Sequence, residues 1–216
     1  MSRKYYPAFI NLKGKKCVVV GGGNVAERKI ASLLRAGASV EVISPTLTVF
    51  LEKKRLKGEI AHVKRRYKSG DLKDAFLVIA ATSNKEINKR ISEEALCLVN
   101  VVDMPELANF IVPAVVQRGH LTIAITTSGT SPAIAKAIRK ELELLYSKDV
   151  GQFLSFLEKI RKKTAREILN KQIRSCILRE VASEEVLAKL RGMGYKAAKD
   201  EVLYRQSMIK RRLDNV

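Results

Sequence analysis

The sequence is short of the residues that build metal centres and disulfide frameworks. Of its 216 residues, two are His and three are Cys. Cys17, Cys97 and Cys176 stand apart with no C-x-x-C pair, the pattern of buried thiols in a reducing compartment. No His/Cys cluster offers a lasting metal site. Long apolar runs are missing too. Segments such as Phe76–Ala81 fall far short of the ~20 residues that cross a bilayer. Met1–Tyr6 leads into no signal-type apolar region. These absences predict a soluble, cytoplasmic protein with no membrane partner. Acidic side chains are scarce, with 22 Asp and Glu against 41 Lys and Arg, a formal charge of +19. Such a field attracts nucleic acid, an anionic membrane or an acidic small molecule. The basic residues are spread along the chain, and no nucleic-acid motif accompanies them, so nucleic acid is not the expected partner. There is no internal repeat or low-complexity tract. An apolar content of 46% is enough for a core. The length fits one domain with an appendage, or two small domains.

What is present is organised around Lys16–Lys29. An apolar β-branched run, Val18-Val19-Val20, meets Gly21-Gly22-Gly23 and then a helical pattern. Gly21, Gly23 and Ala26 spell G-x-G-x-x-A, the dinucleotide fingerprint with Ala in its third place. Gly21 is free to take turn conformations forbidden to a side chain. Gly23 leaves room for a pyrophosphate, and Ala26 keeps the helix close to the strand. The helix start offers free N–H groups and a partial positive charge to phosphates. Gly21, Gly22, Gly23, Asn24 and Val25 are therefore the candidate cofactor cradle.

The alternation continues beyond the turn. Ile30, Leu33 and Leu34 share a helical face that ends at Gly37, and Ser39–Ile43 alternates as a second strand. Ser44, Pro45 and Thr46 follow, where the adenosine end of a dinucleotide lies. An Asp or Glu usually reads the ribose there, and Ser44 stands in its place. No Arg directly follows, which argues against a 2′-phosphate site. Leu47–Leu51 starts a short helix ending near Gly58. Ile60–Val63 is a third strand, with His62 an ordinary strand residue. Phe76–Ala81, apolar on both faces, is a buried parallel strand. It ends at Thr82, on the nicotinamide side of such a crevice. A helix carrying Ile87, Ile91 and Ala95 leads to a strand at Leu98–Val102 and then to Asp103. That carboxylate either faces the crevice or caps the next turn. The pattern is α/β, an N-terminal Rossmann-like doubly wound parallel sheet.

From Phe110 the texture changes. Phe110–Val116 and Leu121–Thr127 are strands joined too closely for a crossover, so they pair antiparallel about Arg118-Gly119-His120. A hydroxyl-rich loop, Ser128, Gly129, Thr130 and Ser131, is the candidate for substrate contact, although Ser131 also suits the cap of the helix opened by Pro132. The last third reads as helices. Residues 151–216 carry 16 Lys and Arg against 8 Asp and Glu. A break at Gly192-Met193-Gly194 precedes a final helix from about Asp200 to Leu213.

These segments resemble the precorrin-2 dehydrogenase family, the dehydrogenase/ferrochelatase module of sirohaem synthase. The likeness rests on Pro7–Leu12, Val19–Lys29, Leu33–Ala38, Ala80–Ser83, Asn100–Pro105, Phe110–Ala114 and Ile125–Pro132. It spans about residues 7–145 in the family's order and fades beyond 150. The resemblance implies a NAD-dependent oxidation of precorrin-2 to sirohydrochlorin, with Asp103 matching the family's proposed general base. Some members also insert ferrous iron, which the tetrapyrrole itself would hold in passing. Others only dehydrogenate, and the residues leave that choice open. A polyanionic tetrapyrrole gives the basic charge a purpose. The resemblance also implies a homodimer, with residues 1–113 as the NAD-binding domain, 114–150 as the dimerisation region and 151–216 as a basic helical domain. A regulatory NAD-sensing Rossmann module is the alternative. It would carry an acid after the second strand and would not need the Ser128–Pro132 loop.

Overall fold

The computed structural model describes residues 5–214, so the first four residues of the N-terminal segment lie outside it. The chain forms two compact units, Met1–Val112 and Pro113–Val216.

The first unit is a parallel five-stranded sheet in the order β3-β2-β1-β4-β5. Its strands are β1 (Lys16–Val20), β2 (Ser39–Ile43), β3 (Ala61–Val63), β4 (Leu77–Ala80) and β5 (Leu98–Val101). Helices α1 (Asn24–Arg35), α2 (Val49–Leu56) and α3 (Lys85–Glu94) make the crossovers. β1 is central because its side chains are apolar in both directions, which suits a strand covered on both faces. Cys17 and Val19 join Ile30 and Leu33 of α1 and Leu51 of α2 in one core layer. Val18 and Val20 join Ile91 of α3, Tyr67 and Leu72 in the other. Each such fully buried aliphatic side chain contributes roughly 1.5–3 kcal/mol. Burial, followed by the nearby Cys97, pushes the Cys17 thiol up to about 11, so it packs as a small apolar residue. α1 stops where Gly37, at φ +76°, takes the left-handed turn that follows its C-cap.

The second unit begins with a hairpin, β6 (Ala114–Arg118) and β7 (Leu121–Ile125), paired antiparallel. The expected first strand, Phe110–Val116, is therefore shifted: residues 110–113 lie outside any strand and the pairing starts at Ala114. Helices α4 (Pro132–Leu145), α5 (Lys148–Glu167), α6 (Lys171–Glu180) and α7 (Glu184–Asp214) complete the unit. The boundary expected between 150 and 151 falls inside α5. There Gly151 lies against the hairpin turn so closely that a Cβ on it would stand 3.1 Å from the Gly119 nitrogen. Arg118 ties the hairpin to the end of α4, donating from Nε to the Tyr146 carbonyl at 2.9 Å and from Nη2 to that of Glu143 at 3.2 Å. The break expected at Gly192–Gly194 is a kink within α7, with Gly194 at φ +81°. Asp149 of α5 accepts the Tyr195 N–H at 3.2 Å and so caps the helix that resumes there.

Candidate functional site

The carboxyl ends of the parallel strands open onto a pocket of about 650 Å³. It lies where ligands bind in open α/β sheets, at the point where the strand order reverses. Its floor is the turn between β1 and α1, with Gly21, Gly22, Gly23, Asn24 and Val25 all lining it. The three glycines are glycines for different reasons. Gly21 sits at φ +124°, and a Cβ there would lie 2.3 Å from the Ala81 carbonyl oxygen. A Cβ on Gly22 would lie 2.0 Å from the Thr46 carbonyl oxygen. Both are fixed by close approach of protein backbone. Gly23 has an ordinary φ of −85°, and a Cβ there would meet nothing within 4 Å. No side chain caps α1. The open space over Gly23 thus faces the unpaired N–H groups of the helix start, a cradle shaped for a phosphate rather than for protein. This fits a dinucleotide.

The Ser44–Thr48 segment is stitched to that floor. The Thr48 N–H donates to the Gly22 carbonyl at 3.0 Å, and its hydroxyl donates to Glu27 of α1 at 2.5 Å. Ser44, only 6% exposed, donates its hydroxyl to the Thr46 carbonyl at 2.7 Å, and its own carbonyl accepts from His62 Nε2 at 2.9 Å. Ser44 and Pro45 line the pocket, whereas Thr46 stands behind them as their backbone partner. On the other side of β1, Thr82 follows the end of β4 by two residues. Its hydroxyl donates to Asn88 Oδ1 at 2.7 Å, and Asn88 Nδ2 donates back to the Thr82 carbonyl at 3.0 Å. Asn88 is 3% exposed, a buried amide spent on holding this loop.

Asp103 lines the far end, just past β5. Its backbone is at φ +60°, in the left-handed region that costs a residue other than glycine free energy. The 3₁₀ turn that follows, Pro105–Leu107, has Met104 as its cap and no side-chain cap bond. The capping role open to Asp103 in the sequence is therefore not taken up, and its exposed carboxylate borders the pocket. Ser128, Gly129, Thr130 and Ser131 lie in the second unit, in the β7–α4 loop. Ser128 is at φ +53°, and the Ser131 hydroxyl accepts the Ile134 N–H at 3.3 Å, as a helix cap. Among the described residues, no group of three or more His, Cys, Asp and Glu could hold a metal ion.

Ser83 and Asn84, which follow Thr82 at the end of that strand's run, line the pocket as well, and so do three residues that sequence reasoning passed over, Arg66, Tyr67 and Ile87. Ile87 follows Asn84 along the chain, in α3. Arg66 and Tyr67 are different, because they reach the pocket only through the pairing of β3 with β2.

A switch-point pocket, a glycine floor shaped by backbone contacts and an uncapped helix start define a dinucleotide-binding Rossmann protein. Comparison with known proteins agrees. Residues 8–114 match the family model described as NAD(P)-binding, and residues 118–144 match that of the sirohaem biosynthesis protein central region. The siroheme synthase of Methylobacillus flagellatus is 38% identical over 189 residues, covering 84% of this chain and 40% of that protein. The siroheme synthase of Nitrosococcus oceani is 34% identical over 190 residues, covering 87% of this chain and 41% of that one. The chain thus spans about 40% of the length of these curated relatives. A solved structure, "SirC, precorrin-2 dehydrogenase", superposes with a TM-score of 0.78 at 27% identity, covering 96% of this chain and 100% of that one. The chain is thus similar to siroheme synthases over most of its length and to a precorrin-2 dehydrogenase over nearly all of it, and its cofactor is NAD.

Proposed function

We propose that this chain oxidises precorrin-2 to sirohydrochlorin in sirohaem biosynthesis, in the cytoplasm. The observation that carries the reading is Asp103. It is a carboxylate at the pocket rim, held in a disfavoured backbone conformation and spent on no cap. The solved precorrin-2 dehydrogenase that aligns over nearly the whole chain supports the same assignment. NAD supplies the hydride acceptor when bound. The chain supplies the rest. Gly22, Gly23, Asn24 and Val25 hold the pyrophosphate, Ser44 and Pro45 border the adenosine, and Thr82, fixed by Asn88, borders the nicotinamide half. Loss of a hydride from the macrocycle leaves a proton to be removed, and Asp103 accepts it as general base. Where ferrous iron is a further substrate, its insertion would use the same carboxylate for the pyrrole protons. Ser128, Gly129, Thr130 and Ser131 contact the substrate.

Two features support a homodimer built through residues 114–150. α4 leaves Ile134, Ile138 and Leu145 exposed at 54%, 36% and 46%, and Val115 of β6 is 42% exposed. A monomer by light scattering at micromolar concentration would remove that part. The activity is tested by anaerobic incubation with precorrin-2 and NAD+, followed by addition of ferrous or cobalt ions. Sirohydrochlorin and NADH should appear in equal amounts. No turnover from folded, NAD-binding protein would sink the assignment, and an absorbance change on adding metal beyond the uncatalysed rate would establish chelation.

A further inference from the structure

The adenosine end of the pocket has no acidic reader, yet it has a cation. Ile43 and Val63 are partners in the parallel pairing of β2 and β3, and the Ser44 N–H donates to the Val63 carbonyl at 3.2 Å. The residues after β3 are therefore brought beside Ser44 and Pro45, and Arg66 lines the same pocket. Its two neighbours are engaged elsewhere. Arg65 makes a bidentate pair with Asp71, both contacts 2.7 Å, and its Nη1 also donates to the Arg66 carbonyl at 3.0 Å. Tyr67 is buried and donates its hydroxyl to Glu94 at 2.5 Å. The backbone on both sides of Arg66 is thereby anchored, while Arg66 itself has no acidic partner among the described residues. The one carboxylate lining the pocket is Asp103. It lies past β5, at the opposite edge of the sheet from β3, roughly 19 Å away at the usual strand spacing.

We propose that Arg66 reads the 2′ position of the adenosine ribose, and that the pocket accepts a 2′-phosphorylated dinucleotide, NADP+, alongside NAD+. An acid after the second strand excludes a 2′-phosphate by repulsion, and a nearby Arg accommodates one. Here the acid is replaced by Ser44, whose hydroxyl hydrogen already goes to Thr46, and the Arg arrives from the neighbouring strand. This inference rests on the dinucleotide reading of the pocket.

The test is calorimetric titration of the intact protein and of R66Q with NAD+ and with NADP+, at low and at high salt. The wild-type protein should bind NADP+ within tenfold of NAD+ or more tightly, with the steeper salt dependence on NADP+. R66Q should lower the ratio of NADP+ to NAD+ affinity by at least tenfold and abolish the difference in salt dependence. NADP+ bound more than a hundredfold more weakly than NAD+ by the wild type, or an unchanged affinity ratio in R66Q, overturns the proposal while leaving the dinucleotide site standing. Failure of the wild type to bind NAD+ overturns the dinucleotide reading and this proposal with it. NAD+ binding by R66Q shows that the variant is folded.

Discussion

Asp103 combines two properties that a simple turn residue would not need together: a left-handed backbone and a carboxylate with no capping bond. Asn tolerates the left-handed region about as well as Asp and keeps the shape of the side chain, but it cannot take a proton. D103N should therefore lower kcat by roughly 10²–10⁴-fold, the usual contribution of a general base. Its NAD affinity, read by titration, should stay near the parent value. Activity within a few fold of the parent would remove Asp103 from the mechanism. The glycine floor makes a second prediction at this scale. G23D places bulk and negative charge in the open space over the helix start, so NAD+ binding should fall below detection with the melting temperature little changed. G22A should behave in the opposite way. Its Cβ collides with the Thr46 backbone, and the variant should lose about 1–3 kcal/mol in denaturant unfolding.

The elements around the site are held by short polar clamps, and one of them titrates. The Arg65 guanidinium, helped by the Lys68 N–H, holds the Asp71 carboxyl below the usual carboxylate range. A carboxyl whose folded pKa is depressed contributes stability above its unfolded pKa of about 3.9, and the contribution is lost as pH falls through the lower folded value. The stability gap between the parent and D71N, measured by urea unfolding, should be constant from pH 7 to 5 and shrink below pH 4. A gap that widens on acidification would contradict the clamp. At this scale the sequence was most legible where period and punctuation agree. Val18–Val20 with Gly21–Gly23 marked β1 and the tight turn into α1, and Ser131-Pro132 marked the start of α4. It was least legible where position depends on strand order. Arg66 follows β3 by three residues, and nothing local says that β3 lies beside β2. Phe110–Val116 looked like one strand because its apolar run is continuous, yet Pro113 lacks the N–H that pairing requires and the ladder begins after it.

For the molecule as a whole, a charge of +19 attracts anions, but sequence alone does not say where on the protein that field acts. Arg65, Arg90, Arg139 and Arg205 each pair with an acid, and such pairs leave the net charge unchanged. The excess of basic side chains should concentrate a polycarboxylate substrate at the protein by long-range attraction. Raising ionic strength from about 0.01 M to about 1 M shortens the Debye length from about 30 Å to about 3 Å. Over that range KM for precorrin-2 should rise at least several-fold with kcat nearly constant, in steady-state assays at saturating NAD+. A salt-independent KM would assign the charge to solubility alone.

The two sheets also differ in how deeply their backbones are enclosed. β1 is bonded to a strand on each side, and Cys17–Val20 are at most 2% exposed, whereas among the described residues β6 and β7 pair only with each other. In deuterated solvent the β1 amides can exchange only when the five-stranded sheet comes apart. The slowest-exchanging protons of the N-terminal unit should therefore be those of Val18, Val19 and Val20, and their exchange times should give its global unfolding free energy. The outward-facing amides of the hairpin should exchange much earlier, and should slow as protein concentration rises if a second copy covers them.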